Sequence, residues 1–267
     1  MGVIANMVTL VVAGPVAQNE ICYISTGGDR LMAEVIKVVG TQVYVQVFES
    51  TRGLKVGAEA EFTGHMLEVT LGPGMLSKNY DGLQNDLDKM DGVFLKRGQY
   101  TYPLDKESKW HFVPLAKAGD QVEAAAWLGQ VDENFQPLKI MVPFGQKGVC
   151  TVKSIVKEGD YGIEDTIAVL TDEEGNDVKV NMIQKWPVKR AMTNYKEKPR
   201  PFKLLETGVR VIDTVNPIVE GGTGFIPGPF GTGKTVLQHA ISKQAEADIV
   251  IIAACGERAN EVVEIFT

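Results

Sequence analysis

The chain has 267 residues, of which 44% are hydrophobic and 23% are charged, a composition that is ordinary for a soluble globular protein and excludes wholesale disorder. Its formal net charge of −7 argues against a general binder of nucleic acids or anionic membranes, because such proteins present basic surfaces. Cys22, Cys150 and Cys255 form no CxxC pair and the three histidines show no ligand spacing, so neither a disulfide framework nor a zinc site is predicted.

Short β-rich runs fill the chain from Val3 to about Thr70, and glycines separate them. Strands are predicted at Val8–Val12, Leu31–Val38 and Gln42–Phe48. Short strands at close spacing, with turn signals between them, are typical of a small β-barrel or a β-sandwich. The first part of the chain is therefore predicted to be all-β.

A cluster of breaker residues, Leu71–Gly74, ends this region, and Asp81–Met90 is predicted to form a short polar helix or a loop. A second β-rich unit runs from about Phe112 to Trp186. Its predicted strands are Ile140–Pro143, Gly148–Val156, Thr166–Leu170 and Val178–Met182. Asp172–Asp177 is predicted to turn the chain, since Gly and Asn tolerate positive φ. Pro187–Phe202 is basic and contains prolines, which indicates a connector between domains.

The pattern changes after Leu204. Phe225–Pro227 is predicted to lead, as a strand, into a glycine loop, and Thr235–Ala247 is predicted to be an amphipathic helix. The apolar stripe of that helix consists of Val236, Leu237, Ala240 and Ile241. Ile249–Cys255 is a continuous apolar run that suits a parallel strand buried on both faces, and it is far shorter than the ~20 residues of a membrane span. Strand, loop, helix and strand together predict a βαβ unit.

The glycine loop, Gly228–Thr235, fits the pattern G-x-x-x-x-G-K-[ST] at every fixed position. Glycines let the backbone bring successive N–H groups to phosphate oxygens, and the N-terminus of the following helix adds unpaired donors. Lys234 supplies a mobile positive charge for the β- and γ-phosphates, and the Thr235 hydroxyl can bind Mg²⁺, which prefers oxygen ligands. The motif and its context predict a nucleotide-phosphate site.

A second motif, Gly256–Glu261, follows the next apolar run, and Glu257 lies 23 residues after Lys234. Ligands of open α/β sheets bind beyond the carboxyl ends of the strands, so Glu257 is predicted to face the same crevice as the glycine loop. A carboxylate there can orient an attacking water for phosphoryl transfer. Spacing alone leaves open the simpler possibility that Glu257 only favours the start of a helix.

The stretches Gly228–Val236 (GPFGTGKTV) and Gly256–Glu261 (GERANE) together resemble the catalytic A subunit of V-type and archaeal A-type ATPases. The resemblance covers essentially the whole chain. Other stretches similar to that family are Leu71–Gly74, Asp81–Gln84, Val142–Gly145, Gln184–Val188 and Thr207–Gly222.

The resemblance implies a fold class that is mostly β in its first part, with a β-barrel and an inserted β-rich bulge, followed by a partial α/β P-loop nucleotide-binding domain of the RecA type. The implied domains are a β-barrel at residues 1–72, a connector into the nucleotide domain at 73–111, the bulge at 112–186 and the start of the nucleotide domain at 187–267.

The resemblance also implies site residues and ligands, namely ATP or ADP with Mg²⁺. Glu257 would be the catalytic carboxylate, Lys234 would contact the phosphates, Arg258 would help to organise the phosphate site, and Thr235 would bind Mg²⁺. The implied nucleotide-binding residues are Gly228, Pro229, Phe230, Gly231, Thr232, Gly233, Lys234, Thr235 and Val236.

In that family, ATP hydrolysis or synthesis is coupled to proton or sodium transport. The resemblance implies a non-catalytic B subunit as partner in an alternating hexamer, together with central and peripheral stalk subunits and no nucleic acid. It implies a cytoplasmic location, peripheral to the membrane through the rotor complex. Because the chain ends at Thr267, before any strand that could carry a further acidic Mg²⁺ ligand, we expect a catalytically incomplete fragment of an ATPase subunit.

Two other functions remain open on sequence grounds. The β-rich regions could serve as an assembly module that contacts the stalk, with the phosphate loop as an inert remnant. A nucleic-acid motor of the RecA type is disfavoured by the net charge of −7 and by the absence of basic and aromatic stripes.

Overall fold

The computed structural model describes residues 2–92, 94–193, 195, 197–229 and 231–263. The chain divides into two compact units, Met1–Asn194 and Tyr195–Thr267. The first unit is built of antiparallel sheets, and the second contains all three α-helices of the described residues. The predicted fold class is confirmed: β-rich domains precede a partial nucleotide-binding domain.

The first sheet of unit one has six strands in the order β1-β2-β5-β4-β3-β6. The strands are β1 (Val3–Ile4), β2 (Met7–Val11), β3 (Glu20–Thr26), β4 (Asp29–Val39), β5 (Gln42–Val47) and β6 (Ala60–Met66). All three predicted strands of this region are confirmed, with no end shifted by more than two residues. Alternate residues of β5, namely Val43, Val45 and Val47, are buried in one apolar core. This period of two is what places one face of each strand inside.

Residues 97–100, which follow the first sheet in the chain, contact it through the side chains of Arg97 and Tyr100. The Arg97 guanidinium contacts the Asp29 carboxylate at 2.6 Å, and the Tyr100 hydroxyl donates a hydrogen bond of 2.6 Å to Glu49. Tyr100 also accepts a hydrogen bond from the Met32 amide. Burial and the bond to Glu49 raise the pKa of Tyr100. The segment is therefore attached to the sheet through polar contacts rather than through regular secondary structure.

Strand β7 (Glu68–Leu71) leaves the first sheet and pairs with residues Gln184–Pro187. The Gln84 side chain pairs with the backbone of Thr70 on this strand, accepting from its N–H at 2.8 Å and donating to its C=O at 2.7 Å. The predicted polar helix or loop at Asp81–Met90 is a loop with one 3-10 turn at Leu87–Lys89. Its Asp86 carboxylate is buried between Lys78 and Lys89.

The second β-rich region contains two four-stranded sheets, ordered β11-β10-β8-β13 and β15-β14-β12-β9. The strands are β8 (Lys109–Pro114), β9 (Gln121–Val122), β10 (Trp127–Glu133), β11 (Gln136–Met141), β12 (Cys150–Ile155), β13 (Gly159–Gly162), β14 (Ala168–Thr171) and β15 (Asp177–Val180). Each of the four predicted strands overlaps an observed one. The region begins at Lys109, slightly before the predicted Phe112, and the chain leaves it through β16 (Gln184–Pro187).

The predicted turn at Asp172–Asp177 is confirmed. The Asp172 carboxylate accepts hydrogen bonds from the amides of Asn176 and Glu174, and these bonds lower its pKa. Gly175 has a φ of 85°, the positive φ that the sequence pattern required. A charged side chain that accepts local backbone donors is a usual way to close such a turn.

The described part of the second unit contains a two-stranded sheet and three short helices. Its elements are β17 (Leu204–Leu205), α1 (Arg210–Val215), β18 (Ile218–Val219), α2 (Lys234–Gln244) and α3 (Ala259–Val263). The Asp213 carboxylate accepts hydrogen bonds from the hydroxyl and amide of Thr207 and from the amide of Gly208. These bonds lower the pKa of Asp213 and hold the chain that enters α1.

Two predicted strands of this unit do not form. Neither Phe225–Pro227 nor Ile249–Cys255 is a strand, and Ile251 is 90% exposed. A strand requires a neighbour for its backbone hydrogen bonds, and a parallel strand requires cover on both faces. In the described part of the second unit only β17 and β18 are paired, so these two segments have no sheet to join. The prediction of a βαβ unit is correct for the helix and wrong for its two strands.

Candidate functional site

The glycine loop turns directly into helix α2. Gly233 is the N-cap residue in a left-handed conformation, with φ 82° and ψ 18°, and Gly231 has a φ of 77°. Only glycine adopts this region without strain, so the two positions explain why the loop needs these residues. No side chain of the described residues caps the helix, and its first amides therefore remain as donors for an anion.

The polar side chains of the loop are held by the loop itself. The Lys234 ammonium donates to the Gly228 carbonyl at 2.6 Å, and the Thr232 hydroxyl donates to the Pro229 carbonyl at 2.8 Å. A Cβ atom at Gly228 would lie 2.6 Å from the Thr232 hydroxyl oxygen, which leaves no room for a side chain there. The ammonium group that a phosphate would attract is thus hydrogen-bonded to the backbone of the loop itself.

A cleft of about 250 Å³ lies beside the start of α2 and brings Thr235 and Glu257 together. One wall is the polar face of α2, and the other is the apolar segment after it together with the start of α3. The lining residues are Thr235, Gln238, His239, Ser242, Ile251, Ile252, Ala253, Ala254, Glu257, Glu261 and Val262. The two sequence motifs therefore share one cleft although they are more than 20 residues apart.

Glu261 is a site residue that the sequence analysis missed. The Thr235 hydroxyl donates to its carboxylate at 3.4 Å, and Glu261 lines the cleft with Glu257. The available signal was a second glutamate in the Gly256–Glu261 motif, although Glu257 itself lies before α3. The cleft therefore holds two carboxylates, and one of them accepts from the Thr235 hydroxyl.

Other predicted site residues lie elsewhere. Of the described residues that line the cleft, none is Lys234 or Arg258. Arg258 lies at the start of α3, where its carbonyl accepts hydrogen bonds from the amides of Glu261 and Val262. Val236, predicted on the apolar stripe of α2, is 69% exposed, whereas Leu237, Ala240 and Ile241 are partly buried. Phe230 is outside the described residues.

No helix among the described residues is long and apolar enough to cross a membrane. In the same residues there is no group of three or more His, Cys, Asp or Glu side chains that could hold a metal ion by itself.

Three family models match the chain in order. The beta-barrel domain of the ATP synthase alpha/beta family matches residues 2–64, the ATP synthase alpha/beta subunit barrel-sandwich domain matches 101–189, and the nucleotide-binding domain of the family matches 208–267. Together they match well over half of the 267 residues.

Relatives with high identity extend over the whole chain. The V-type ATP synthase alpha chain of Treponema denticola is 50% identical over 270 residues, which cover 100% of this chain and 46% of the relative. The protein of the same name from Borrelia hermsii is 51% identical and that from Borreliella afzelii is 49% identical, each over 267 residues, 99% of this chain and 46% of the relative. The chain therefore spans about half the length of the curated relatives it matches.

Proposed function

The chain belongs to the ATP synthase alpha/beta family, and on this premise we propose that it is part of the ATP-binding catalytic subunit of a rotary V/A-type ATPase. The subunit would couple ATP hydrolysis or synthesis to proton or sodium transport. The observation that carries the proposal is the cleft that Thr235 and Glu257 share at the N-terminus of α2. Relatives named V-type ATP synthase alpha chain, at about 50% identity along the whole chain, support it.

The phosphates are proposed to bind at the loop and the first turn of α2. Backbone N–H groups between Gly228 and Val236 would surround the phosphate oxygens, and the Lys234 ammonium would leave the Gly228 carbonyl for them. The carbonyl is neutral and a triphosphate is highly charged, so the exchange favours the phosphate. The residues we assign to nucleotide are Gly228, Pro229, Phe230, Gly231, Thr232, Gly233, Lys234, Thr235 and Val236.

Mg²⁺ fits the donors beside this loop. Thr235, Glu257 and Glu261 offer oxygen atoms, the ligands that Mg²⁺ prefers, and the Thr235 hydroxyl already lies 3.4 Å from a Glu261 carboxylate oxygen. Mg²⁺ usually keeps several waters and takes only one or two protein ligands, which agrees with the small number of donors here. We propose that Thr235 holds the ion, which would neutralise charge on the phosphates.

For the chemical step we assign Glu257 to the water. Its carboxylate would accept a hydrogen bond from the attacking water, whose oxygen bonds to the γ-phosphorus as the bond to the bridging oxygen of ADP breaks. Lys234 would stabilise the charge on the transferred group, and Arg258 would help to organise the phosphate site. A partner subunit would supply an arginine in trans, a recurring device in this chemistry.

The proposed assembly follows from the same family membership. We propose an alternating hexamer with a non-catalytic B subunit, contacts with central and peripheral stalk subunits, and a cytoplasmic location peripheral to the membrane. We keep the domain division 1–72, 73–111, 112–186 and 187–267. The separate family models for the barrel, barrel-sandwich and nucleotide-binding domains support a division of this kind.

One observation favours a second candidate, in which these residues act as an assembly module with an inert loop. The sheets of unit one enclose buried cores, whereas the strands expected before the glycine loop and after α2 are not formed. Under this hypothesis the chain folds and binds its partner subunits but has no affinity for nucleotide.

A calorimetric titration of the 267-residue chain with Mg·ATP separates the two. We expect micromolar binding that weakens by about 10- to 100-fold in Lys234→Ala, because a charge-assisted hydrogen bond contributes roughly 1.5–3 kcal/mol. Lys243→Ala is the matched control, since Lys243 is an exposed lysine in the last turn of the same helix. A folded chain that binds no ATP would support the assembly module. Equal affinity in wild type and Lys234→Ala would contradict the assigned phosphate contact.

A further inference from the structure

His111 lies between two carboxylates at the edge of a sheet in unit one. Its Nδ1 is 2.8 Å from an Asp160 carboxylate oxygen, and its Nε2 is 3.2 Å from a Glu158 carboxylate oxygen. His111 is on β8, and Asp160 is its direct partner on β13. Among the described residues β13 pairs with β8 alone and stands last in the strand order, so these contacts lie across the outermost pairing of the sheet.

The two contacts together require a doubly protonated ring. A neutral imidazole carries one N–H and one lone pair, so it donates to only one of the two carboxylates. The shorter contact, to Asp160, would keep the proton, and the Nε2 lone pair would then face the negatively charged oxygen of Glu158. Loss of the second proton therefore replaces one charge-assisted hydrogen bond by a repulsive contact.

We propose that protonation of His111 fastens the edge strand β13 to β8, so that this edge of the sheet is a pH-responsive element of the fold. The cation holds Glu158 and Asp160 at the same time, and the neutral ring releases Glu158. β13 has four residues and one partner strand, so its local opening is opposed by that single pairing and by the Tyr161 ring, which packs edge-to-face on Phe112.

The direction of the pH response follows from the same contacts. Hydrogen bonds to Asp160 and, next, to Glu158 raise the pKa of His111 above its ordinary value. A histidine with a raised pKa in the folded state adds stability that is fully present below the pKa of the unfolded chain, near 6.5, and that is lost as the pH rises through the folded value. The pairing of β13 with β8 is therefore most stable in mildly acidic solution and becomes less stable toward alkaline pH.

The acidic groups around the ring favour the cation, and one lysine on the same strand opposes it. On β13 they are Asp160 and, just before the strand, Glu158. On the other side of β8 lies β10, where Gln130 pairs with Val113 in an antiparallel register. Continued by two residues, this register places Asp132 opposite His111. On β8 itself the nearest charge is Lys109, which pairs with Gly162 at the far end of β13.

Amide hydrogen exchange followed by NMR on the full chain tests the proposal, with protection factors corrected for the intrinsic pH dependence of exchange. Between pH 6 and pH 9 we expect protection in β8 and β13 to fall by about two- to fivefold, the range for an exposed ion pair. The midpoint should coincide with the titration of the His111 ring. We call this pH-dependent fall in protection the step. In Glu158→Gln the step should be smaller, because an amide can donate to the neutral ring.

His65→Gln is the matched control, since His65 is an exposed histidine on β6 with no carboxylate partner among its hydrogen bonds. It should leave the step unchanged, whereas His111→Gln should abolish it. A step that persists in His111→Gln, or that disappears in His65→Gln, would overturn the proposal. So would a wild-type protection that is constant across this pH range.

Discussion

Replacement of Glu257 by glutamine in the full-length subunit, assembled with its partners, is expected to lower kcat for ATP hydrolysis by about 10²- to 10⁴-fold, the usual contribution of a positioned acid–base group. Glutamine keeps the size of the side chain but loses the negative charge that orients and polarises the water. The affinity for Mg·ATP should change little, because the assigned phosphate contacts are on the glycine loop. Steady-state hydrolysis and a separate binding titration measure the two effects.

Glu246→Gln is the control for this experiment, because Glu246 is an exposed glutamate just after α2 that does not line the cleft. It should retain wild-type kcat. If Glu257→Gln hydrolyses ATP at the wild-type rate, Glu257 is not the catalytic carboxylate. If it loses binding and turnover together, its role is to hold nucleotide rather than to orient water.

Replacement of Phe112 by alanine is expected to destabilise the second β-rich region by about 3–5 kcal/mol. Phe112 is fully buried on β8, in a cluster with Val131, Ile140, Ile167 and Met182. Two of the three tryptophans, Trp110 and Trp127, lie on strands of this region, and Trp186 lies on β16, through which the chain leaves it. The midpoint of the fluorescence change during unfolding in urea therefore reports on this region. Phe135→Ala is the control, because Phe135 is completely exposed at the turn between β10 and β11.

Gly129 is the counterpart of Phe112 in the same core. A Cβ atom at Gly129 would lie 2.2 Å from the Phe112 ring and 2.8 Å from the Val113 carbonyl oxygen. Gly129→Ala should therefore destabilise the region by about 1–3 kcal/mol, and by less once Phe112 is alanine. Gly145→Ala has no atom within 4 Å of its new Cβ and should be nearly neutral. An additive double mutant would contradict the contact.

Local pattern was sufficient to identify the two β-rich regions and seven of their strands. The buried alternation of Val43, Val45 and Val47 repeats every two residues, and a one-residue slip would turn all three to solvent. The Asp172–Asp177 turn was likewise predictable, because Gly175 supplies the positive φ that it needs. The requirement for glycine at position 129 was not predictable, because it depends on the ring of Phe112, which lies on another strand.

The second unit shows where local pattern is insufficient. The apolar run Ile249–Cys255 has strand composition, but a strand depends on partners elsewhere in the chain, and the described residues provide none. The helix α2 needed no such partner, because its hydrogen bonds are internal. The turn of the glycine loop into α2 was predictable because Gly231 and Gly233 supply the positive φ angles that it needs, whereas the contact of Thr235 with Glu261 joins residues 26 apart in the chain.

The most direct test concerns the proposed binding of the terminal phosphates to the glycine loop and the first turn of α2. Backbone amide resonances of Gly231, Gly233, Lys234 and Thr235 should shift on addition of Mg·ATP or Mg·ADP to the full chain, and should not shift with adenosine at the same concentration. Shifts of equal size with adenosine, or phosphate-dependent shifts confined to residues away from this loop, would contradict a phosphate site at Gly228–Thr235.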